Sequence, residues 1–498
     1  MKVTFPENTL AQLSGFIASH LALHFPKTRW NDLERSIISA ANEFGYNDVE
    51  SFIQRIMSFP LTHEHIEILT AHLTNNETYF WREHKTFEIL EQKVFPELIH
   101  KRQEDKRIRI WSAGCSTGEE PYSIAIALNR SIPNIKDWNI TILATDISPR
   151  ILRKATAGIY SQWSFRNSPQ WLKENYFLQK EENKFELVSR IKDMVKFEYL
   201  NLADDVFPSP INNTNAMDII FCRNVLMYFT QDRFRQVTRG LYNSLIQGGY
   251  FVVSASELSA QNFPEFLPIN IPGMVIYQKT SKKIKDKYKL TFVEPPPEPI
   301  PLQMPPEIFN PIEWTQPEPT EIAIDIPLPE KIPTPNNSIY KENIKSYTQG
   351  DYAEVIDNLQ NDNKTVEEKI LLIRAYANRG NLIEALNLCE KTIEANKLDP
   401  RLHYLYAILL QENNQLIDAV ASLKRAIYLD TNFVLCYYSL GNIYQRLGDH
   451  KNSKKCYEII LSILNKCGRE EILFESEGLT AGRFKEIINA TMQTRELS

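Results

Sequence analysis

No apolar run in these 498 residues approaches the ~20 needed to span a bilayer. The opening stretch, MKVTFPENTL, has no charged-then-apolar leader pattern, so a cytoplasmic location is expected. Positive charge is not in excess. Lys and Arg total 56 against 62 Asp and Glu, and a net charge of −6 gives no reason to expect nucleic-acid binding. Cysteines are few and scattered: Cys115, Cys222, Cys389, Cys436, Cys456 and Cys467, with no CxxC pair. Reduced core thiols are expected rather than disulfides or metal ligands. His63 and His65, in HEH, lack the i, i+4 spacing of a helical zinc pair, so no metal is expected.

A chain of 498 residues is too long for one core and suggests two to four domains. The clearest boundary is compositional. Residues 291–337 hold 14 of the 28 prolines and eight acidic side chains against the single Lys331. Missing backbone donors and mutual repulsion predict an extended, semi-rigid linker, placed at 283–337, that isolates the regions on its two sides from each other.

Beyond the linker the chain repeats with a 34-residue step. Gly380, Asn414 and Gly448 share that step at expected turns, and Ala407 and Ala419 are followed 34 positions later by Gly441 and Ser453. Small residues at this spacing let helix pairs stack closely, and the pattern resembles tetratricopeptide (TPR) repeats over 338–466. Three units lie within 368–466, with a degenerate one at 340–359. The segment 467–498, containing LTAGRFKEIINATM, reads as a cap for the last repeat.

Upstream, residues 1–80 show helical spacing, as in LERSIISAANEF. The next region, placed at 81–282, alternates. RIRIWSAG, NITILATDIS, VKFEYLNL, MDIIFCRN and GGYFVVSASE read as strands and PYSIAIALNRSI as a helix. This rhythm predicts a parallel sheet with helices on both faces and a ligand at the carboxyl ends of its strands. The first strand runs into GCSTGEEPYS, which is neither a GxGxxG fingerprint nor a phosphate loop ending in Lys-Ser/Thr. Glu119 and Glu120 come after that turn, where they would repel a pyrophosphate and welcome an ammonium or sulfonium cation. Asp146 ends the second strand and is placed to accept hydrogen bonds from ribose hydroxyls, with a helix-capping role as the alternative because Ser148 and Pro149 come next. Arg223, Asn224 and Tyr228 lie just beyond the strand ending in FC. A nucleoside without phosphates, bearing a cation and an amino acid, fits S-adenosylmethionine (SAM).

NETYFWR, WSAGCSTGEEPYSIA, ATDIS, YLNL and FCRNVLMYF, in this order, resemble the bacterial chemotaxis-receptor methyltransferases of the CheR family, over roughly residues 1–280. The repeats after a proline-rich linker resemble a TPR-containing subgroup. The resemblance implies an all-α N-terminal domain, a Rossmann-like α/β methyltransferase domain with a small antiparallel β subdomain inserted within about 158–195, and an all-α repeat domain. It implies SAM-dependent methyl esterification of glutamates in the cytoplasmic helical region of a chemoreceptor, with S-adenosylhomocysteine as product and protein contacts through the repeats. Carried over motif by motif, the cofactor residues are Asn76, Thr78, Arg82, Glu120, Asp146, Asn201, Leu202, Arg223 and Asn224. Arg82 and Tyr228 match the pair acting near the transferring methyl. The aromatics of YFW are expected to wall the site from water. On the residues alone, Thr78 or Asn76 could instead cap a helix running through Phe87, Ile89 and Leu90.

Two departures stand out. Trp81 replaces the phenylalanine usual in the family. PKTRWNDLERSIISAANEF matches an arginine-rich helix in family members, but Lys27, Arg29 and Arg35 are balanced here by Asp32, Glu34 and Glu43. Two other functions stay open at this point: a methyltransferase for a small carboxylic acid, and a SAM-binding regulatory scaffold.

Overall fold

The computed structural model describes residues 5–21, 23–59, 61, 63–74, 77–209, 212–259, 262–280, 338–360, 364–476 and 478–495. The linker expected at 283–337 lies outside the described residues, as does Asn76.

Four helices, Glu7–Leu21, Trp30–Glu43, Val49–Ser58 and His63–Leu73, form the N-terminal unit. Leu13, Ile17, Leu33, Ile37 and Phe52 fill its core, as the helical spacing requires. Asp48 caps the third helix by accepting from the amides of Glu50 and Ser51.

A seven-stranded sheet comes next. In chain order its strands are β1 (Arg107–Ala113), β2 (Asn139–Asp146), β6 (Val195–Tyr199), β7 (Met217–Phe221), β8 (Leu245–Val252), β9 (Leu267–Ile271) and β10 (Met274–Gln278). The spatial order is β6-β2-β1-β7-β8-β10-β9. The first five strands in that order pair in parallel. β10 runs antiparallel to both β8 and β9, so the expected parallel sheet carries an antiparallel hairpin at one edge. The three remaining strands, β3 (Ile159–Ser161), β4 (Phe177–Glu181) and β5 (Lys184–Leu187), form a separate antiparallel sheet ordered β3-β5-β4. The fold class is therefore the expected one: helical N-terminus, Rossmann-like sheet, small antiparallel sheet, and a helical repeat region.

The repeat region is a stack of helix pairs: Ser338–Gln349 with Tyr352–Asn358, Val366–Arg379 with Leu382–Ala395, Pro400–Glu412 with Leu416–Leu429, and Val434–Arg446 with His450–Leu464. The 34-residue step has a backbone cause. Gly380, Asn414 and Gly448 all turn between paired helices in the left-handed region, at φ of 89°, 61° and 77°. The final helix, Ala481–Arg495, seats Phe484 and Ile488 in the core of the last pair.

The repeats are not isolated from the methyltransferase. Glu412, at the end of its helix, accepts from Arg107 Nη2 at 2.7 Å and from Asn215 Nδ2 at 2.9 Å, while its backbone carbonyl accepts from Asn139 Nδ2 at 3.1 Å. These residues stand at or just before the amino ends of β1, β2 and β7. The turn at Gly350 lies directly against Asn243, at the end of the helix Gln231–Ser244 that leads into β8. The expectation of independent halves fails because it was drawn from linker composition, which says nothing of complementary surfaces elsewhere.

Candidate active site

At the carboxyl ends of β1, β2, β6 and β7 lies a cavity of about 1010 Å³, including its open mouth. The turn after β1 forms its floor. The amides of Gly114 and Cys115 both donate to the Thr145 carbonyl, at 2.8 and 2.9 Å. Gly114 (φ 78°) leaves no room for a Cβ, which would stand 2.4 Å from Val225 Cγ2. Gly118 (φ 94°) is equally confined, since a Cβ would meet Ala155 Cβ and Tyr160 Oη at 2.9 Å each. Both glycines are thus required by a close approach as well as by a left-handed turn.

Asp146 spans this turn and its own strand end. Oδ2 accepts from the Ser116 amide at 2.9 Å and Oδ1 from the Ser148 amide at 3.0 Å. Burial raises its pKa, and those amides oppose the rise. Ser148 is the N-cap residue of Pro149–Ala157 but makes no side-chain cap bond. Asp146 therefore both braces the helix start and lines the cavity.

The two carboxylates after the turn separate. Glu120 lines the cavity, accepting from Ser112 Oγ at 2.8 Å and Arg223 Nη1 at 3.1 Å. Glu119 is turned to the small sheet's side, where Thr117 Oγ1 and Ser164 Oγ donate to it at 2.6 and 3.0 Å; burial raises its pKa. One acid rather than two thus faces the cavity from this pair. Arg223 is also committed. It pairs with Glu83 at 2.8 Å and Glu120 at 3.1 Å, and donates to the Arg82 carbonyl at 3.0 Å, which fixes the wall rather than freeing a cation for ligand. Two buried polar atoms are left without a partner among the described residues here: Arg223 Nε, and Oδ1 of Asn224, which stands at φ 60°.

The stretch after Asn76 makes the opposite wall. Thr78, Tyr79 and Arg82 line the cavity, with the Arg82 guanidinium 5.7 Å from the Tyr79 ring. Thr78 caps no helix; the helix begins at His84, with Glu83 as its N-cap residue. Only Tyr79 of the aromatic trio faces the cavity. Phe80 packs into the small-sheet cluster, 4.8 Å from Tyr160 and 5.3 Å from Phe165, and Trp81 stacks on Phe87 at 4.6 Å. They anchor the loop, and a bulky Trp81 fits because Trp171 meets it edge-on at 5.2 Å. Tyr228 closes the rim towards the N-terminal unit, with its ring 5.0 Å from the Arg29 guanidinium and its carbonyl accepting from the His24 amide at 2.6 Å. Asn201 and Leu202 line the remaining side; the Asn201 side chain is held by Asp204 at 2.9 Å and the Ala203 amide at 3.0 Å.

Glu257 was not singled out from the sequence. Its carboxylate accepts from the amides of Asn224, Val225 and Leu226, at 2.7, 3.0 and 2.9 Å, and so holds the turn that carries Asn224 and Tyr228. The signal was there as S-x-x-E in SASE, for Ser254 and Glu257 form a capping box. Glu257→Ala leaves one buried amide, Leu226, and two half-buried ones, Asn224 and Val225, without their acceptor and should cost the folded chain about 2–4 kcal/mol in urea titration. An unchanged midpoint would mean that water replaces the carboxylate.

The residues present suit SAM. A buried unpaired acceptor, Asn224 Oδ1, awaits a donor such as an α-ammonium. Asp146 stands at a strand end where ribose hydroxyls are bound in α/β folds. Cys115 also lines the cavity, but burial and the nearby Asp146 and Glu120 carboxylates hold its thiol protonated. No histidine is among the described residues lining the cavity.

This sheet, with its hairpin edge, its small inserted sheet and a cavity at its strands' carboxyl ends, is that of a SAM-dependent α/β methyltransferase. The family description "CheR methyltransferase, SAM binding domain" matches residues 76–271, and "Tetratricopeptide repeat" matches 435–463. The chain is 32% identical to a chemotaxis protein methyltransferase of Borreliella burgdorferi over 260 residues, covering 52% of this chain and 90% of that one. It is 36% identical to chemotaxis protein methyltransferase 2 of Vibrio cholerae over 201 residues, 40% of this chain and 68% of that one. A probable biofilm formation methyltransferase of Pseudomonas aeruginosa is 27% identical over 250 residues, 50% of this chain and 57% of that one. The chain belongs to the chemotaxis protein methyltransferase family and carries a TPR repeat. Among the described residues no helix is long and apolar enough to cross a membrane.

Proposed function

We propose that the enzyme esterifies glutamate side chains on the cytoplasmic helical region of a chemoreceptor, using SAM held in this cavity. The observation that carries the proposal is the cavity's chemistry: an acid at the carboxyl end of β2, an unpaired buried amide oxygen, and no histidine to serve as a base among the described lining residues. A glutamate acceptor needs none, because its reference pKa of about 4.3 leaves it an anion at neutral pH. When bound, SAM supplies an electrophilic methyl on a sulfonium. In this proposal Asp146 takes the ribose hydroxyls, Asn224 Oδ1 the α-ammonium, and Thr78, Asn201 and Leu202 border the remainder of the ligand. Glu120 and Arg223 act as a pair, Arg223 setting the position of Glu120. Arg82 offers its cation to a carboxylate, and Tyr228 orients the reacting oxygen. Rate then comes from alignment and from stripping water off the acceptor, not from proton transfer.

The N-terminal helices give little electrostatic steering. Lys27 pairs with Glu7 at 2.9 Å and Arg35 with Asp32 at 2.5 Å, so few bare cations face an acidic receptor. Recognition then depends more on shape and on contacts made outside this helix.

Incubation with radiolabelled SAM and receptor-containing membranes from the source organism tests the proposal. Base-labile label on a receptor band is expected; label on a small acid alone would point to the small-substrate enzyme instead. For Tyr228→Phe, turnover should fall at least about tenfold while S-adenosylhomocysteine affinity stays within about twofold, since the hydroxyl works near the transition state. Equal turnover would reduce Tyr228 to a packing residue.

A further inference from the structure

The helix Ala481–Arg495 closes the last repeat, but its other side lies on the methyltransferase. Ile487 and Ala490 pack with Cys115, Ala144, Leu152 and Tyr199, beneath the turn that floors the cavity. Arg483 makes the polar tie. Its Nε donates to Asp205 Oδ1 at 2.7 Å, and its Nη2 donates to Asp205 Oδ2 and to Tyr199 Oη, each at 3.1 Å. The pair is nearly closed to solvent, with side chains 17% and 4% exposed. Asp205 in turn accepts the Asn201 amide at 2.6 Å, and Asn201 and Leu202 form one wall of the cavity.

The chain of contacts runs Arg483, Asp205, Asn201, cavity. A planar fork suits this task, since two parallel bonds fix the carboxylate's rotation as well as its place. Arg483 also counters a crowded pair of acids. Asp204 stands beside Asp205, bonds Asn201 Nδ2 at 2.9 Å, and has its pKa raised by burial, a rise that Arg483 and Arg233 oppose. Without Arg483 the two carboxylates would push apart, and the Asn201 amide and side chain would move with them.

We propose that Arg483 is a positioning residue for the cofactor: through Asp205 it sets the Asn201–Leu202 wall, so the docked state of the cap and repeats determines how tightly the cavity binds its ligand. The inference rests on the assignment of this cavity to SAM. Coupling of this kind is reciprocal. A partner that draws the cap away weakens cofactor binding, and bound cofactor holds the cap down.

The test uses the full chain and S-adenosylhomocysteine. Calorimetric titration should give a dissociation constant about tenfold higher for Arg483→Ala than for wild type, with Arg483→Lys between them, because a lysine restores charge without the fork. Thermal midpoints measured without ligand separate this from general unfolding. Should Arg483→Ala fail to fold, hydrogen exchange on the wild type carries the test: ligand should slow exchange in 199–205 and in 481–495 together. Wild-type affinity retained in a folded Arg483→Ala, or no slowing in 481–495 on ligand binding, overturns the coupling. A wild-type chain that binds no S-adenosylhomocysteine removes the cavity's assignment, and the inference with it.

Discussion

Glu412→Ala should lower the unfolding free energy of the full chain by about 3–5 kcal/mol, the cost of breaking a buried ion pair from one side. Arg107 and Glu412 are 10% and 4% exposed, so water does little to screen the loss. The damage spreads beyond the pair. Asn215 Nδ2 loses its acceptor, and Arg109, two residues along β1 and 2% exposed, loses a nearby counter-charge. Burial already pulls the Arg109 pKa down to about 10, against the pull of Glu412. Two buried guanidinium groups would then face Asp218, which Arg102 already engages at 2.6 Å. Urea unfolding followed by tryptophan fluorescence measures this; a midpoint within error of wild type would mean that the repeats detach at no cost. By the same logic truncation near Thr280 uncovers Arg107 and Asn215 and removes Arg483, so the shortened chain should be less stable and, under the proposed coupling, bind cofactor more weakly.

Asp146→Ala should weaken S-adenosylhomocysteine binding by about 10- to 150-fold, the equivalent of one lost charge-assisted hydrogen bond of roughly 1.5–3 kcal/mol. The upper end is favoured by structure. Besides its proposed ribose contact, the carboxylate holds the Ser116 amide at 2.9 Å, so alanine also loosens the turn between Gly114 and Gly118. Asp146→Asn keeps one acceptor oxygen and should fall between alanine and wild type. An unchanged dissociation constant in the alanine variant would take Asp146 out of the ligand's reach.

The sheet was legible because β1, β2, β6, β7 and β8 are short segments rich in β-branched and aromatic residues, alternating with charged ones in β1 and β6, and the repeats because a left-handed turn recurs at Gly380, Asn414 and Gly448. The β9–β10 hairpin was not. Leu267–Ile271 contains Pro268 and is only partly buried, which blurs the strand pattern. Motif resemblance located the cavity residues but not how each is used. Nothing in NETYFWR alone says that Phe80 and Trp81 point into packing while Tyr79 and Arg82 turn to the cavity; φ of 61° at Trp81 and 59° at Glu83 produces that split. The docking of the repeats was hidden for another reason. Arg107 and Arg109 share one face of β1, and nothing in that strand names the carboxylate that meets Arg107, Glu412, 305 residues away.

Glu412 grips the strands at their amino ends, whereas the cavity opens at their carboxyl ends. The seven residues of β1 put about 23 Å of stiff strand between them. Any protein carried on the outer surface of the repeats is therefore held at a nearly constant offset from the cavity. Under the proposed function, encounter between the cavity and a receptor anchored to that same protein would become a matter of local concentration rather than free diffusion. In a crowded receptor array, such a chain would modify its neighbourhood in preference to the array as a whole, with a working radius set by the rigid span rather than by the linker's length.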